Sequence, residues 1–114
     1  MPSYSHYIID FWLLIATATA AAYDQASAGC EKPLPAGAAV GRSTNISIES
    51  GHLQRSYLLH LPTSYDGKTP VALILSFHGR TKSAKQQEAL SQFSNATYNP
   101  NAIAVYPQGV MVRS

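Results

Sequence analysis

Seven residues, Val71-Ala72-Leu73-Ile74-Leu75-Ser76-Phe77, form an almost unbroken apolar run between Pro70 and Gly79. The run is too short for a buried helix and lacks the alternation of a half-exposed strand. It therefore predicts a strand buried on both faces, as in a parallel sheet covered by helices. Parallel strands need a crossover connection, and the next residues supply one. Ser83 is a helix N-cap with Gln86 three residues later, the pattern of a capping box. The helix runs to about Ser94. Its inward face is expected to be Gln86, Ala89, Leu90, Phe93 and Thr97, leaving Lys85, Gln87, Glu88 and Ser91 outside. Asn99-Pro100-Asn101 breaks the chain. A second apolar strand, Ala102 to Tyr106, then ends at Pro107-Gln108-Gly109. Strand, helix and strand in this order make one βαβ unit with parallel strands joined by a right-handed crossover.

Upstream, Thr44 to Glu49 alternates, and Gln54 to Leu61 places Tyr57, Leu59 and Leu61 on one face. Ser50-Gly51-His52 between them predicts a β-hairpin whose turn uses glycine at positive φ. Ser64-Tyr65-Asp66-Gly67-Lys68 carries an Asp-Gly turn signal. The fold class is α/β, an antiparallel hairpin followed by one βαβ unit, and the set is incomplete. One sheet face and one edge are expected to stay uncovered.

Residues 1–28 carry an apolar stretch, Phe11 to Ala22, followed by small residues suited to signal-peptidase cleavage after Ala20 or after Ala28. The sequence does not choose between the two. The stretch is a dozen residues long, short of the roughly 20 needed to cross a bilayer, so export rather than a membrane anchor is expected. Residues 29–42, rich in Gly, Pro and Ala, read as an extended leader, and 43–114 as the domain proper. Cys30 is the only cysteine; in an oxidising compartment it calls for a partner on another chain or, preferably, on residues absent from this one. Asn45-Ile46-Ser47 and Asn95-Ala96-Thr97 are N-glycosylation acceptors consistent with an extracellular protein. A net charge of +2 with scattered Lys and Arg gives no nucleic-acid footprint. One Cys and no clustered His or acidic residues leave no metal first shell.

Three stretches, Ile74-Leu75-Ser76-Phe77-His78-Gly79-Arg80, Gln86-Gln87-Glu88-Ala89-Leu90-Ser91 and Asn101-Ala102-Ile103-Ala104-Val105-Tyr106-Pro107-Gln108-Gly109, together resemble fungal feruloyl esterases. Their wider kin are the polyhydroxybutyrate-depolymerase-like esterases of the α/β-hydrolase superfamily. Gly29-Cys30 and Arg55-Ser56-Tyr57-Leu58-Leu59-His60-Leu61-Pro62 are similar to that family as well. The resemblance implies the N-terminal part of an α/β-hydrolase sheet, in a secreted serine esterase without cofactor. Its substrate would be feruloylated plant cell-wall polysaccharide, with ferulate released from xylan.

In this fold the nucleophile sits in a Gly-x-Ser-x-Gly elbow after a later strand, and the acid and His follow it. This sequence contains no Gly-x-Ser-x-Gly, so none of the Ser, Asp and His of the triad is identified in it. The residues after Gly109 depart from the family, which suggests a truncated or mis-spliced product that is inactive alone. What the resemblance does supply is the oxyanion-hole loop, His78-Gly79-Arg80-Thr81, with a backbone N–H of Arg80 or Thr81 as donor. Gly79 would let the backbone approach substrate, and His78 would brace the loop, since no carboxylate neighbour is identifiable to orient it as a base. His52 and His60 read as solvated or hydrogen-bonded hairpin residues, and Tyr57, Tyr65, Tyr98 and Tyr106 as packing residues. The alternative class is a small secreted non-catalytic protein that binds carbohydrate or another protein.

Overall fold

A computed structural model of the chain describes Gly29 and residues 31–110. The apolar segment Phe11 to Ala22, both cleavage positions and Cys30 lie outside the described residues. A compact unit begins at Leu34.

Five elements follow one another: β1 (Ser43–Ser50), β2 (Leu53–His60), β3 (Leu73–Leu75), α1 (Ala84–Ser91) and β4 (Ile103–Gln108). β1 and β2 form the expected antiparallel hairpin, paired from Ser43↔His60 to Ser50↔Leu53. That register leaves a two-residue turn, and both of its residues, Gly51 (φ 60°) and His52 (φ 61°), are left-handed. Paired positive φ values match the right-handed twist of the strands, which explains why a glycine stands at the first position. β3 and β4 are parallel, Leu73↔Ile103 to Leu75↔Val105, so the strand–helix–strand segment is a βαβ unit. The four strands make one mixed sheet in the order β1-β2-β4-β3, with β2 antiparallel to β4. The protein is thus a small α/β domain with an antiparallel hairpin on one side of a parallel pair.

Alternation along the strands divides the side chains between two faces. On the α1 face, Ala104 and Tyr106 are buried with Ala84, and Leu58 and Phe93 pack around them. On the other face Ile46, Leu59 and Leu61 form a second cluster with Tyr57, Ile103 and Val105. The leader crosses one end of that second face. Ala38 packs on it, Val40 bridges Leu61, and the Gly41 amide donates to the Leu61 carbonyl at 2.8 Å.

Two expectations about burial fail, each for a physical reason. The run Val71–Phe77 is not a strand buried on both faces: only Leu73–Leu75 is strand, and Leu73, Leu75 and Phe77 are 60%, 55% and 66% exposed. β3 lies at the edge of the sheet, so it has one neighbouring strand and no described cover on the face opposite α1. The helix also turns a different side inward. Gln86, Ala89, Leu90 and Thr97 are exposed, Leu90 by 80%, and of the expected inward set only Phe93 packs. Instead Ala84, Gln87, Glu88 and Ser91 lie toward the sheet. Hydrogen bonds decide this orientation: Gln87 Nε2 donates to Ser76 Oγ at 3.0 Å, and Ser94 Oγ donates to Glu88 at 2.8 Å. The helix also stops earlier than Ser94. Its capping box at Ser83 and Gln86 forms as expected, but Gln92 turns left-handed (φ 59°) and closes the last turn.

The open face of the sheet is a shallow apolar trough of about 490 Å³ floored by Tyr57, Leu59, Leu73, Ile103 and Val105. A contiguous apolar surface of this kind binds hydrophobic dyes. Strong dye fluorescence is therefore expected from the folded chain at neutral pH, falling when Leu73 and Leu75 are both replaced by Thr. Dye binding no stronger than that of an ordinary well-covered monomer would show that this face is covered in solution.

Candidate functional site

The loop that leaves β3 stands at the carboxyl end of the two parallel strands, where open α/β sheets place their ligands. It is built as a tight turn. The Lys82 amide donates to the Gly79 carbonyl at 3.1 Å, which puts Arg80 and Thr81 at the turn's centre. Thr81 has φ 63°, a conformation ordinary for glycine at the third position of a turn but strained for a β-branched residue. Backbone strain of this kind, about 1–3 kcal/mol, persists only where surrounding contacts over-determine the loop. Those contacts come from His78 and from the end of β4.

His78 is pinned through both ring nitrogens. The Gly109 amide donates to Nε2 at 2.9 Å, so that nitrogen carries no proton, and Nδ1–H donates to the Gly79 carbonyl at 2.9 Å. With both nitrogens committed to backbone groups, and no carboxylate against the ring among the described residues, His78 braces the loop. Gly109 is where it is because of this contact: a Cβ there would lie 3.0 Å from His78 Cε1 and 3.1 Å from Nε2.

Gln108 holds the other end. Its Oε1 accepts from the Ala84 amide at 2.9 Å, and its Nε2 donates to the Gly109 carbonyl at 3.1 Å. Residues 78–84 are thus fastened at both ends to two consecutive residues, Gln108 at the end of β4 and Gly109 just after it. From the sequence, Gln108 is expected only as part of a strand terminus. No local signal marks it as a clamp, because Ala84, the residue it holds, lies 24 positions upstream.

Between the clamps the Arg80 and Thr81 amides have no acceptor among the described residues, and both residues are exposed. Arg80 and Lys82 add positive charge there; the ion pair among the described residues is Lys85–Glu88, 3.5 Å apart and elsewhere. The loop can therefore offer free N–H groups in a positive field to a negatively charged oxygen. Two troughs lie away from the loop, the apolar one on the sheet face. The other, about 440 Å³, lies at the opposite end of β3 and β4, between Ser64, Thr69–Ala72 and Asn99–Ala102. That opposite end is fixed by structural hydrogen bonds: the buried Asn99 amide group bonds Phe93 O and both Ala102 backbone groups. The nearby Asp66 carboxyl is held down to about 2 by the Thr69 and Lys68 amides and the Thr69 hydroxyl.

A serine, a histidine and a glutamate, far apart in the sequence, also meet beneath α1. Ser43 Oγ–H donates to Glu88 Oε1, so the 3.1 Å contact between Ser43 and His60 is a bond from His60 Nδ1–H to the serine oxygen. Ser94 Oγ–H also donates to Glu88 at 2.8 Å, which leaves the Tyr106 hydroxyl to donate to Ser94 at 3.1 Å. The order is wrong for a nucleophilic triad. There the imidazole lies between serine and carboxylate and accepts the serine proton, whereas here the serine lies between them and the imidazole donates. His60 is buried, and neither of those two troughs is lined by a residue of the cluster.

Asn45 and Asn95, the two glycosylation acceptors, are both exposed. Asn45 lies on β1, an edge strand. Asn95 lies in the turns after α1, its Oδ1 accepting from the Thr97 amide at 3.0 Å. No protein-family model matches the chain, and no curated protein matches it either.

Proposed function

We propose that this domain carries the oxyanion-hole side of a secreted serine ester hydrolase acting on hydroxycinnamate esters of plant cell-wall polysaccharide. The observation that carries the reading is the pair of unbonded amides, Arg80 and Thr81, held in a strained turn at the carboxyl end of a parallel strand. Attack of a serine on an ester carbonyl puts negative charge on the carbonyl oxygen. Preorganised amides that need not reorganise as charge develops are the usual way of stabilising it. The resemblance of Ile74–Arg80 and Asn101–Gly109 to feruloyl esterases gives the substrate class. With no Gly-x-Ser-x-Gly in the sequence, the nucleophile has to come from polypeptide outside it, and this chain alone is not catalytic.

The test has two arms. Titrating ¹⁵N-labelled chain with a phosphonate analogue of methyl ferulate is expected to move the Arg80 and Thr81 amide resonances downfield, with little change along β1. Methyl ferulate itself is expected to be hydrolysed no faster than with heat-treated protein. Unmoved Arg80 and Thr81 resonances would remove the oxyanion-hole reading, and shifts confined to the apolar sheet face would favour a non-catalytic binding protein. Turnover by the chain alone would contradict the role assigned to the missing elbow.

A further inference from the structure

The helix is attached to the sheet in an unusual way. Ala84 is the one buried side chain of α1, and its other apolar residues, Ala89 and Leu90, face away from the sheet. What joins the middle of α1 to the sheet is polar: Gln87 to Ser76, and Glu88 to a cluster drawn from four separate pieces of chain. That cluster is a directed chain of donors. Tyr106 donates to Ser94, Ser94 and Ser43 donate to the same Glu88 oxygen, and His60 donates to Ser43. Every donor in it ultimately serves one carboxylate oxygen, so these hydrogen bonds are charge-assisted, and at their strongest, only while Glu88 is ionised.

We propose that Glu88 and His60 form an acid-sensitive latch, which docks α1 on the sheet at neutral pH and releases it on acidification while the β1–β2 hairpin stays folded. The titratable and charged groups at the junction are Glu88 and Lys85 from α1, His60 from β2 and Tyr106 from β4. β1 contributes Ser43, and the segment after the helix contributes Ser94.

The two titrations act in the same direction. Burial pushes His60 below its ordinary 6.5, and the Glu88 charge only partly offsets this. The docked state therefore binds a proton at His60 less readily than the undocked state. Its advantage, full above 6.5, erodes as pH falls from 6.5 through the lowered value. For Glu88, burial pushes the carboxyl up, but the bonds from Ser43 and Ser94 and the charge of Lys85 outweigh it and hold it below its ordinary 4.5. That contribution is present above 4.5 and lost as pH falls through the lowered value. Asp66, at about 2, stays ionised through most of this range and its turn is not what gives way.

Because α1 begins directly after the 78–81 loop and its first amide is clamped by Gln108, release would also loosen that loop. This consequence rests on the proposed function, whereas the latch itself does not. Amide exchange of the full chain, corrected for intrinsic rates, separates the two. Between about pH 7 and pH 3, protection of Glu88–Ser91 is expected to fall about tenfold or more relative to Tyr57 and Leu59 in the hairpin. Glu88→Gln, which removes the charge, is expected to show the lowered protection already at neutral pH. His60→Asn keeps a donor to Ser43 and is expected to dock normally, with release confined to pH below 4.5. Helix protection that tracks the hairpin across the whole range would overturn the latch, as would a His60→Asn profile identical to that of the parent. Loss of helix protection with unchanged analogue-induced shifts at Arg80 and Thr81 would leave the latch standing and remove its link to the loop.

Discussion

Replacing Tyr106 by alanine is expected to cost about 3–5 kcal/mol, the range for deleting a large aromatic from a core. Tyr106 is fully buried in one cluster with Ala84 and Ala104, against which Leu58 and Phe93 pack, and it anchors one end of the hydrogen-bond chain through Ser94. The described core is small, with Ile46, Leu59, Leu61, Ala84, Ala104 and Tyr106 as its buried apolar residues. A domain that is marginally stable to begin with has little reserve against such a loss. Exchange protection at the β2 and β4 amides is the measure, and it should fall roughly a hundredfold or more. Tyr106→Phe keeps the ring and removes only the hydroxyl, so about 1 kcal/mol is expected, with the fold retained. Equal effects from the two substitutions would show that the ring contributes nothing beyond its hydroxyl, and the packing described around it would be wrong.

Gly109→Ala is expected to give the second largest effect, about 1–3 kcal/mol for forcing a methyl group into an occupied space. The new Cβ would stand 3.0 Å from a His78 ring that two backbone bonds hold in place. The ring has to swing away, and the bonds to Gly79 O and from the amide of residue 109 then weaken together. The signature is specific. The ¹⁵N resonance of His78 Nε2 should lose the shift of a hydrogen-bonded acceptor, and the Arg80 and Thr81 amides should broaden, while α1 and β1 keep their spectra. His78→Ala should reproduce the loop broadening without steric strain. Sharp, unmoved Arg80 and Thr81 resonances in both variants would mean that the loop's shape is intrinsic and that His78 is not its brace.

The elements whose causes are local were legible in the sequence. Ser83 and Gln86 make their capping box because the four residues involved are consecutive. Gly51-His52 makes the hairpin turn because positive φ is a property of those residues themselves. The parallel pairing of β3 with β4 follows from chain geometry, since a helix of eight residues between two apolar runs brings the second strand back in the same direction as the first. The position of the 78–81 loop follows from these, because a loop after β3 must lie at the carboxyl end of the parallel strands.

What failed to read from the sequence depends on neighbours far along the chain. Periodicity gave α1 an apolar inward stripe through Leu90, yet the helix turns Glu88 inward because Ser43, from β1, is there to meet it. Gln108 and Gly109 looked like the end of a strand and are the clamp on the loop, since the His78 imidazole arrives 31 residues from Gly109. The exposure of Leu73 and Leu75 came from their being on an edge strand, a fact of sheet order that no hydrophobic pattern encodes.

The sequence by itself determined which segments become strands, helix and turns, because propensity, capping and turn chemistry act over a few bonds. The tertiary structure alone decided which side of the helix faces inward, which edge of the sheet lies open and which groups fasten the loop. Those outcomes depend on where a carboxylate buried in the fold finds its donors and on which strand finds no second neighbour, and both are settled only when distant residues meet.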